Sequence, residues 1–231
     1  MIKGQKVLAV VPARGGSKGV KLKNLREVKG RSLVARAADI AAALPEIDRR
    51  VVSTDHEGIA AAAEEAGLAA PFRRPEAISG DRIGDIDVLT HALLEMEEQD
   101  ETTYDIVLML QPTSPSRRPE HVLATLRKLV DGQYDAVWTV SETDSKAHPL
   151  KQLTLGPEGA LGYYDPAGAS IIARQQLIPV YHRNGIAYAI SRDCLLRQKS
   201  IMGANPSAVL IEGPVVNIDT EEDLHWAEYV L

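Results

Sequence analysis

Residues 7–19 of the chain are Val-Leu-Ala-Val-Val-Pro-Ala-Arg-Gly-Gly-Ser-Lys-Gly. The continuous, β-branched apolar run predicts a buried strand over Lys6–Pro12, because strands covered on both faces lack polar alternation. A Gly-rich basic loop follows this strand directly. Open α/β sheets bind their ligands beyond the carboxyl ends of the strands. The stretch therefore predicts an α/β fold with a ligand site at this loop.

The segments after the loop alternate between helical and strand patterns. Helices are predicted from Ser32 to Pro45, over Glu57–Ala66, around Ile86–Met96 and around Val122–Val130, and a capping box at Thr220–Asp223 predicts the last one. Strands are predicted over Arg50–Ser53, Asp105–Leu110, Ala136–Val140, Ile186–Ile190 and Val215–Ile218. Alternation of this kind is typical of a mostly parallel sheet with helices packed against it.

Residues 141–185 interrupt this alternation. The segment contains Pro149, Gly156-Pro157, Gly159, Gly162, Pro166 and Pro179, with polar residues between short apolar pairs. Long loops without structure are uncommon in compact domains unless they have a function. We therefore predict an extended hairpin arm that leaves the core and packs against a partner subunit.

Length and composition are those of an ordinary soluble protein. The chain has 231 residues, 45% hydrophobic and 25% charged, and its longest apolar runs are five residues. Runs of that length are far short of the roughly 18 to 20 residues that cross a bilayer, and they are too short for a secretory signal. The single cysteine, Cys194, cannot form an internal disulfide and is expected to be packed. We expect a cytoplasmic protein without a membrane partner.

The charge distribution argues against nucleic acid and for a small anion. The net charge is −6, whereas a nucleic-acid surface needs a basic face. Residues 14–26 nevertheless contain five cations and no acid. Glycines let backbone N–H groups approach phosphate oxygens, and the cations offset phosphate charge. The loop lacks the Walker spacing and the G-x-G-x-x-G spacing, and a solvated surface loop is the alternative interpretation.

Short motifs along nearly the whole chain match, in order, those of one enzyme family. They are Ala13-Arg-Gly-Gly-Ser-Lys-Gly19 with Lys23-Asn24, Ser53-Thr-Asp55, Arg74-Pro75, Leu110-Gln-Pro-Thr-Ser-Pro115, His148-Pro-Leu-Lys151, Arg174-Gln-Gln176, Asn184-Gly185 with Tyr188, and Ile218-Asp-Thr220. In these motifs the chain resembles the N-acylneuraminate cytidylyltransferases, the CMP-sialic acid synthetases, and their relatives that activate other nonulosonic acids. The resemblance implies one cytidylyltransferase domain over residues 1–231, a Rossmann-like three-layer sandwich of the nucleotide-diphospho-sugar transferase type.

The activity that this resemblance implies is transfer of CMP from CTP to the anomeric hydroxyl of an acidic nine-carbon sugar. Pyrophosphate would be released, Mg²⁺ would assist, and the enzyme would be a homodimer. The positions that match nucleotide-binding residues are Arg14, Gly16, Ser17, Lys18, Lys23, Asn24 and Arg74, of which Arg14, Lys18 and Lys23 match catalytic ones. For Arg74, an exposed side chain before a turn proline is the alternative.

A metal site is expected near the start of the last helix. Asp219 follows Asn217 by two, so on a strand both side chains would face the same way. Mg²⁺ is commonly held by one or two carboxylates together with substrate phosphates. Where the family has Asp-Ile-Asp this chain has Asn217, which offers a carbonyl oxygen without charge. The alternative is that Asp219 only begins the last helix.

The sugar is expected to contact Gln111, Lys151, Arg174 and Tyr188 by resemblance, with Arg174 at its carboxylate. On the residues alone, Gln111 could lie in a turn, the two cations could be solvated on the arm, and Tyr188 could be an inner-strand aromatic. Sialic-acid enzymes of the family can place two phenylalanines past this strand, whereas this chain has Ile201-Met202 there. The pocket could therefore suit another sugar, such as legionaminate or pseudaminate.

Two further functions compete with this hypothesis. One is a cytidylyltransferase for the eight-carbon acid 3-deoxy-manno-octulosonate, against which Lys151 and Arg174 argue. The other is a nucleotide-binding protein without catalysis, for which Asn217 is the only indication. The six histidines show no spacing typical of a zinc site, so they are expected to be structural or exposed.

Overall fold

A computed structural model describes all 231 residues of the chain. The strands are β1 Val7–Pro12, β2 Glu27–Val28, β3 Arg31–Ser32, β4 Arg49–Ser53, β5 Ile106–Met109, β6 Ala136–Glu142, β7 Leu153–Leu155, β8 Leu161–Tyr163, β9 Tyr181–Ser191 and β10 Pro206–Leu210. The helices are α1 Leu33–Ala42, α2 Glu57–Glu65, α3 Asp85–Gln99, α4 Pro119–Gly132, α5 Arg192–Leu196 and α6 Glu221–Val230. None of these helices is long and apolar enough to cross a lipid bilayer.

Six strands form the central sheet in the order β10-β6-β9-β5-β1-β4. Five of them run parallel, and β9 pairs antiparallel with both β5 and β6. The prediction of a mostly parallel sheet is confirmed, and so are the strand after Lys6 and the four predicted helices that precede the arm, whose observed bounds are close to the predicted ones.

The sheet separates two apolar cores, and β1 shows how its sequence serves both. Val7, Ala9 and Val11 pack in a 26-residue core with α1, α2 and α4. Leu8 and Val10 face the opposite way, into a 16-residue core with α3 and α5. Successive strand residues point to opposite faces, so an uninterrupted apolar run is required when helices cover both. The result is a three-layer α/β/α sandwich.

The prediction of a last strand over Val215–Ile218 is wrong. These residues are irregular, and the last strand of the sheet is β10, an edge strand that begins with Pro206. The apolar alternation has a different cause. Val216 and Ile218 pack in a third core of seven residues that joins Val20 of the Gly-rich loop to α6. This small core brings the start of α6 to the Gly-rich loop.

The arm is shorter than residues 141–185. β6 continues to Glu142 and pairs with Tyr181 at the start of β9, so the excursion runs from 143 to 180. It consists of the small β7–β8 hairpin and short 3-10 turns. Its apolar side chains are open in the single chain; Leu155 is 76% and Ile172 is 92% exposed. The hairpin is therefore observed, whereas packing against a partner subunit stays a prediction.

Candidate functional site

A polar cleft of about 590 Å³ opens beyond the carboxyl ends of β1 and β5. This is the edge of the sheet at which α/β folds bind ligands. Most of the site residues predicted from the sequence line it: Arg14, Ser17, Lys18, Lys23, Asn24, Arg74, Gln111, Tyr188, Asn217 and Asp219. Gly16 lies in the same loop without lining the cleft, and Lys151 and Arg174 lie outside the cleft.

The Gly-rich loop is held in place by residues just after β4 and by the turn that follows the loop. The Gly15 amide donates to the Asp55 carboxylate at 2.8 Å, and a Cβ on Gly15 would lie 2.9 Å from the His56 side chain. From below, the buried Asn24 amide donates to the Arg14 carbonyl oxygen at 3.0 Å. Glycine is required because the loop passes close to His56. The backbone of the loop is thus anchored at Arg14 and Gly15, while Lys18 and Lys21 remain exposed.

Two cations of the loop converge on one carboxylate. The Arg14 guanidinium donates to Asp81 at 2.8 Å, and the Lys18 ammonium forms a salt bridge with the same carboxylate. The Lys18 hydrogen bond, with the charges of Lys18 and Arg14, holds the pKa of Asp81 below its usual value. Asp81 therefore stays ionised, and it holds the two positive groups together at one side of the cleft.

The third cation of the loop, Lys23, contacts Asp219, which is the predicted metal ligand. The Lys23 ammonium donates to the Ile218 carbonyl oxygen at 2.7 Å and to the Asp219 carboxylate at 2.9 Å. Asn217 donates to the other oxygen of Asp219 at 3.1 Å. These residues precede α6 in an irregular segment, so the strand geometry expected for them is wrong. Their side chains are nevertheless adjacent.

The segment is held by the helix that follows it. Thr220 caps α6, and the Asp223 carboxylate accepts from the backbone amides of Asp219 at 2.9 Å and Thr220 at 2.8 Å. Burial alone would raise the pKa of Asp223, but these backbone hydrogen bonds, together with the Thr220 hydroxyl and the charge of Lys23, outweigh burial and lower it. The predicted capping box is confirmed, and it positions Asp219 as well as starting the helix.

Arg74 is buried, so the interpretation as an exposed arginine before a turn is wrong. Its Nε donates to the Ser53 hydroxyl at 3.0 Å and another guanidinium nitrogen reaches the Ser53 carbonyl oxygen, both at the end of β4. Burial lowers the pKa of Arg74 to about 10, against the charges of Asp55 and Asp85. The side chain is therefore cationic at neutral pH and fixed in the wall of the cleft.

The floor of the cleft requires glycine at one position, Gly185, where the backbone has a left-handed conformation and no side chain fits. Gly185 has φ of +75°, and a Cβ there would lie 2.7 Å from the Gln111 side-chain oxygen and 2.5 Å from Ser114 Oγ. The buried Arg117 guanidinium donates to the Gly185 carbonyl oxygen at 3.0 Å and also reaches the Gln111 carbonyl oxygen. Only glycine fits this position without strain. Gln111 can therefore lie flat against the backbone of β9.

Tyr188 belongs to both the core and the cleft. Its ring is buried edge-on against Trp138, with ring centroids 5.2 Å apart. Its hydroxyl accepts from the Gly185 amide at 3.1 Å, and the residue lines the cleft. The two interpretations of Tyr188 as an inner-strand aromatic and as a site residue are thus compatible.

A sequence-family model described as cytidylyltransferase matches residues 8–223. The chain belongs to the cytidylyltransferase family. The match begins in β1 and ends in the capping box of α6, so it includes the loop, the cleft and the arm of this nucleotidyltransferase.

The names of two relatives in this family refer to nonulosonic acids. The cytidylyltransferase is 29% identical over 224 residues to the CMP-N,N'-diacetyllegionaminic acid synthase of Legionella pneumophila, covering 96% of this chain and 94% of that one. It is 30% identical over 222 residues to the N-acylneuraminate cytidylyltransferase of Streptococcus agalactiae. That match covers 94% of this chain and 51% of the relative, so the chain spans about half the length of the streptococcal protein.

A solved structure of CMP:2-keto-3-deoxy-manno-octonic acid synthetase complexed with CTP has the same fold. It superposes with a TM-score of 0.71 over 98% of both chains, at 20% sequence identity. At that identity the likeness shows the fold alone, the three-layer α/β/α sandwich.

The arm of the cytidylyltransferase carries Lys151 and Arg174 away from the cleft of its own chain. Lys151 is exposed, and Arg174 lines a separate cavity of about 340 Å³ together with His148. The buried His148 ring accepts from the Leu150 amide at 3.1 Å, and its other nitrogen lies 3.1 Å from the Ile178 carbonyl oxygen. His148 therefore organises the arm, as the structural interpretation of the histidines expects.

Three charged residues of the cleft were not predicted from the sequence. They are Asp81, Asp85 and Arg183. Asp85 lies at the first turn of α3, where burial raises its pKa although the charges of Arg183 and Arg74 act in the opposite direction. An acid at a helix start ordinarily indicates only a favourable helix dipole. No local signal could have separated these residues from ordinary surface charges.

Proposed function

We propose that the chain transfers CMP from CTP to the anomeric hydroxyl of an acidic nonulosonic sugar, such as an N-acylneuraminate, legionaminate or pseudaminate, and releases pyrophosphate. The observation that carries this proposal is the convergence of Arg14, Lys18 and Lys23 on one polar cleft in a member of the cytidylyltransferase family. The names of the relatives support the class of sugar.

The residues of the cleft suit a reaction that needs positioning and charge stabilisation. The sugar hydroxyl attacks the α-phosphorus in line and gives up its proton to water; a P–O bond forms as the bond to the pyrophosphate oxygen breaks. Arg14 and Lys18, gathered by Asp81, stabilise the departing pyrophosphate. Lys23, which donates to the Ile218 carbonyl oxygen and to Asp219 just before α6, would contact the α-phosphate.

We propose Mg²⁺ as the cofactor, and the donors at Asp219 and Asn217 fit it. Both side chains offer oxygens, which Mg²⁺ prefers, and one carboxylate is sufficient when phosphates complete the coordination. The Asp219 side chain is 68% exposed in the cleft, so it is accessible to an ion. When bound, the ion would offset the phosphate charge.

The proposal includes a homodimer in which the arm reaches the neighbouring cleft. In one chain Lys151 and Arg174 are not in the cleft, while the apolar side chains of the arm are open. A second subunit would cover Leu155 and Ile172 and would receive Arg174 near its sugar, where a planar guanidinium suits a carboxylate.

Pyrophosphate release with a panel of sugars tests the function directly. We expect release with CTP and Mg²⁺ for N-acetylneuraminate, N,N'-diacetyllegionaminate or pseudaminate, and at least about tenfold less with 3-deoxy-manno-octulosonate, which lacks the substituents that the site would recognise. CTP should also raise the melting temperature more than ATP or GTP, because a ligand of the native state stabilises it. Release with the octulosonate alone would favour the eight-carbon acid; no release with any sugar would favour a non-catalytic nucleotide-binding protein.

Removing one loop cation at a time tests the phosphate site. We expect Lys18→Ala and Lys23→Ala each to lower turnover about a hundredfold, as the loss of one electrostatic stabiliser typically does. Lys21→Ala is the matched control, because Lys21 is an exposed cation of the same loop that does not line the cleft. Near-normal turnover in both variants, with the melting temperature unchanged, would contradict the assignment.

A further inference from the structure

Arg183 is a cleft cation without a partner. It lies on β9 between the arm and Gly185 and lines the cleft. Its exposed guanidinium makes no hydrogen bond and no salt bridge within the chain, in contrast to Arg14, Lys18 and Lys23, which all meet carboxylates. A cation that a cleft presents unpaired is available to an anionic ligand.

Arg183 also lines a second cavity, which the Gly-rich loop does not reach. A cavity of about 570 Å³ adjoins the cleft and shares Gln111, Asp85 and Arg183 with it. No residue of the Gly-rich loop lines this second cavity, whereas Lys199 does. Two cations and one carboxylate therefore surround it. The single carboxylate of the half-buried Asp85 offsets only one of these two positive charges.

We infer that Arg183 binds the carboxylate of the acceptor sugar from the same subunit whose loop holds CTP. The inference rests on the proposed function, since it needs an acidic sugar beside Gln111. A guanidinium presents a rigid fork of donors that matches a carboxylate. A carboxylate has about four acceptor positions, so it accommodates Arg183 together with an arginine from a partner's arm.

Steady-state kinetics of three variants test this role. Arg183→Gln should raise KM for the sugar between about tenfold and about a hundredfold, as the loss of a charged hydrogen bond does, and change KM for CTP less than about twofold. Arg183→Lys should recover part of the loss. Arg197→Gln removes the same charge from an exposed arginine outside both cavities and should change neither KM.

A modified substrate decides whether the carboxylate is the group recognised. The C1-amide of the sugar that gives pyrophosphate release lacks the negative charge, so Arg183→Gln should cost little with this substrate and much with the acid. An equal loss with acid and amide would overturn the inference, as would an unchanged KM for the acid. The proposed function would survive either result, because wild-type release would continue. No wild-type release with any sugar would refute both.

Subunit exchange tests whether Arg183 acts in its own subunit. Arg14→Ala and Arg183→Gln homodimers mixed at a low sugar concentration should give no more than the mean of the two parent activities, because every site keeps one lesion. A rise well above that mean would place Arg183 in the partner's site and overturn the inference. An enzyme that is monomeric would supply Arg183 from its own chain by necessity.

Discussion

Asp219→Ala is expected to abolish Mg²⁺-dependent pyrophosphate release, a loss of about a hundredfold or more. Asp219 presents the exposed carboxylate beside Asn217, and it also binds the Lys23 ammonium at 2.9 Å. Its removal leaves only the neutral Asn217 amide for the metal and takes away one of the two hydrogen-bond partners of Lys23, which keeps the Ile218 carbonyl oxygen. The measurement is release of pyrophosphate over a titration of Mg²⁺.

Two companion variants separate the metal role from damage to the fold. Asn217→Asp adds a carboxylate at the same place and should lower the Mg²⁺ concentration needed for half-maximal rate. Glu222→Ala removes an exposed acid three positions further along and should change neither rate nor Mg²⁺ dependence. An Asp219→Ala enzyme with ordinary activity and an unchanged titration would remove Asp219 from the metal site.

Mixing two inactive homodimers is expected to restore about a quarter of wild-type activity. If the arm crosses a twofold interface, each site needs Arg14 from one chain and Arg174 from the other. Arg14→Ala and Arg174→Ala homodimers would then be nearly inactive. In a mixed dimer one site carries both lesions and the other carries none. Random exchange makes half of the dimers mixed, with one intact site of two in each.

Exchange has to be shown independently with a tagged subunit. Lys146→Ala serves as the matched control, because it removes a cation from the base of the same arm; it should be active as a homodimer. If the arm folds back on its own chain, every site keeps one lesion, and the mixture stays inactive after confirmed exchange. That outcome would reject the shared site.

The features that could be predicted from the sequence are those that depend on residues close together in the chain. The β1 strand, the loop after it and the Thr220–Asp223 capping box all depend on residues a few positions apart, and all three are present. Within Val215–Ile218, Val216 and Ile218 are buried as the apolar alternation indicates. Their side chains pack under the loop, and their backbone does not join the sheet. β10 was not predicted because a half-exposed edge strand that begins with proline has little apolar pattern.

Long-range contacts account for the part of the site that was not predicted. Asp81 meets Arg14 across 67 positions of the chain, and nothing near either residue indicates the pairing. Asn217 and Asp219 are adjacent as expected, although the expected reason was a strand and the observed one is a capped irregular segment. Charge identity can be read from a sequence, whereas the partner of a charge depends on the complete fold.

The carboxylate that gathers Arg14 and Lys18 makes the cleft sensitive to the valence of an incoming anion. A ligand with one negative charge would exchange one ion pair for an equivalent one and gain little, because Asp81 already neutralises part of the positive field. A triphosphate carries several negative charges, which is more than the single negative charge that Asp81 provides. Asp81 thereby acts as an internal counterion, which favours polyvalent anions over simple monovalent salts.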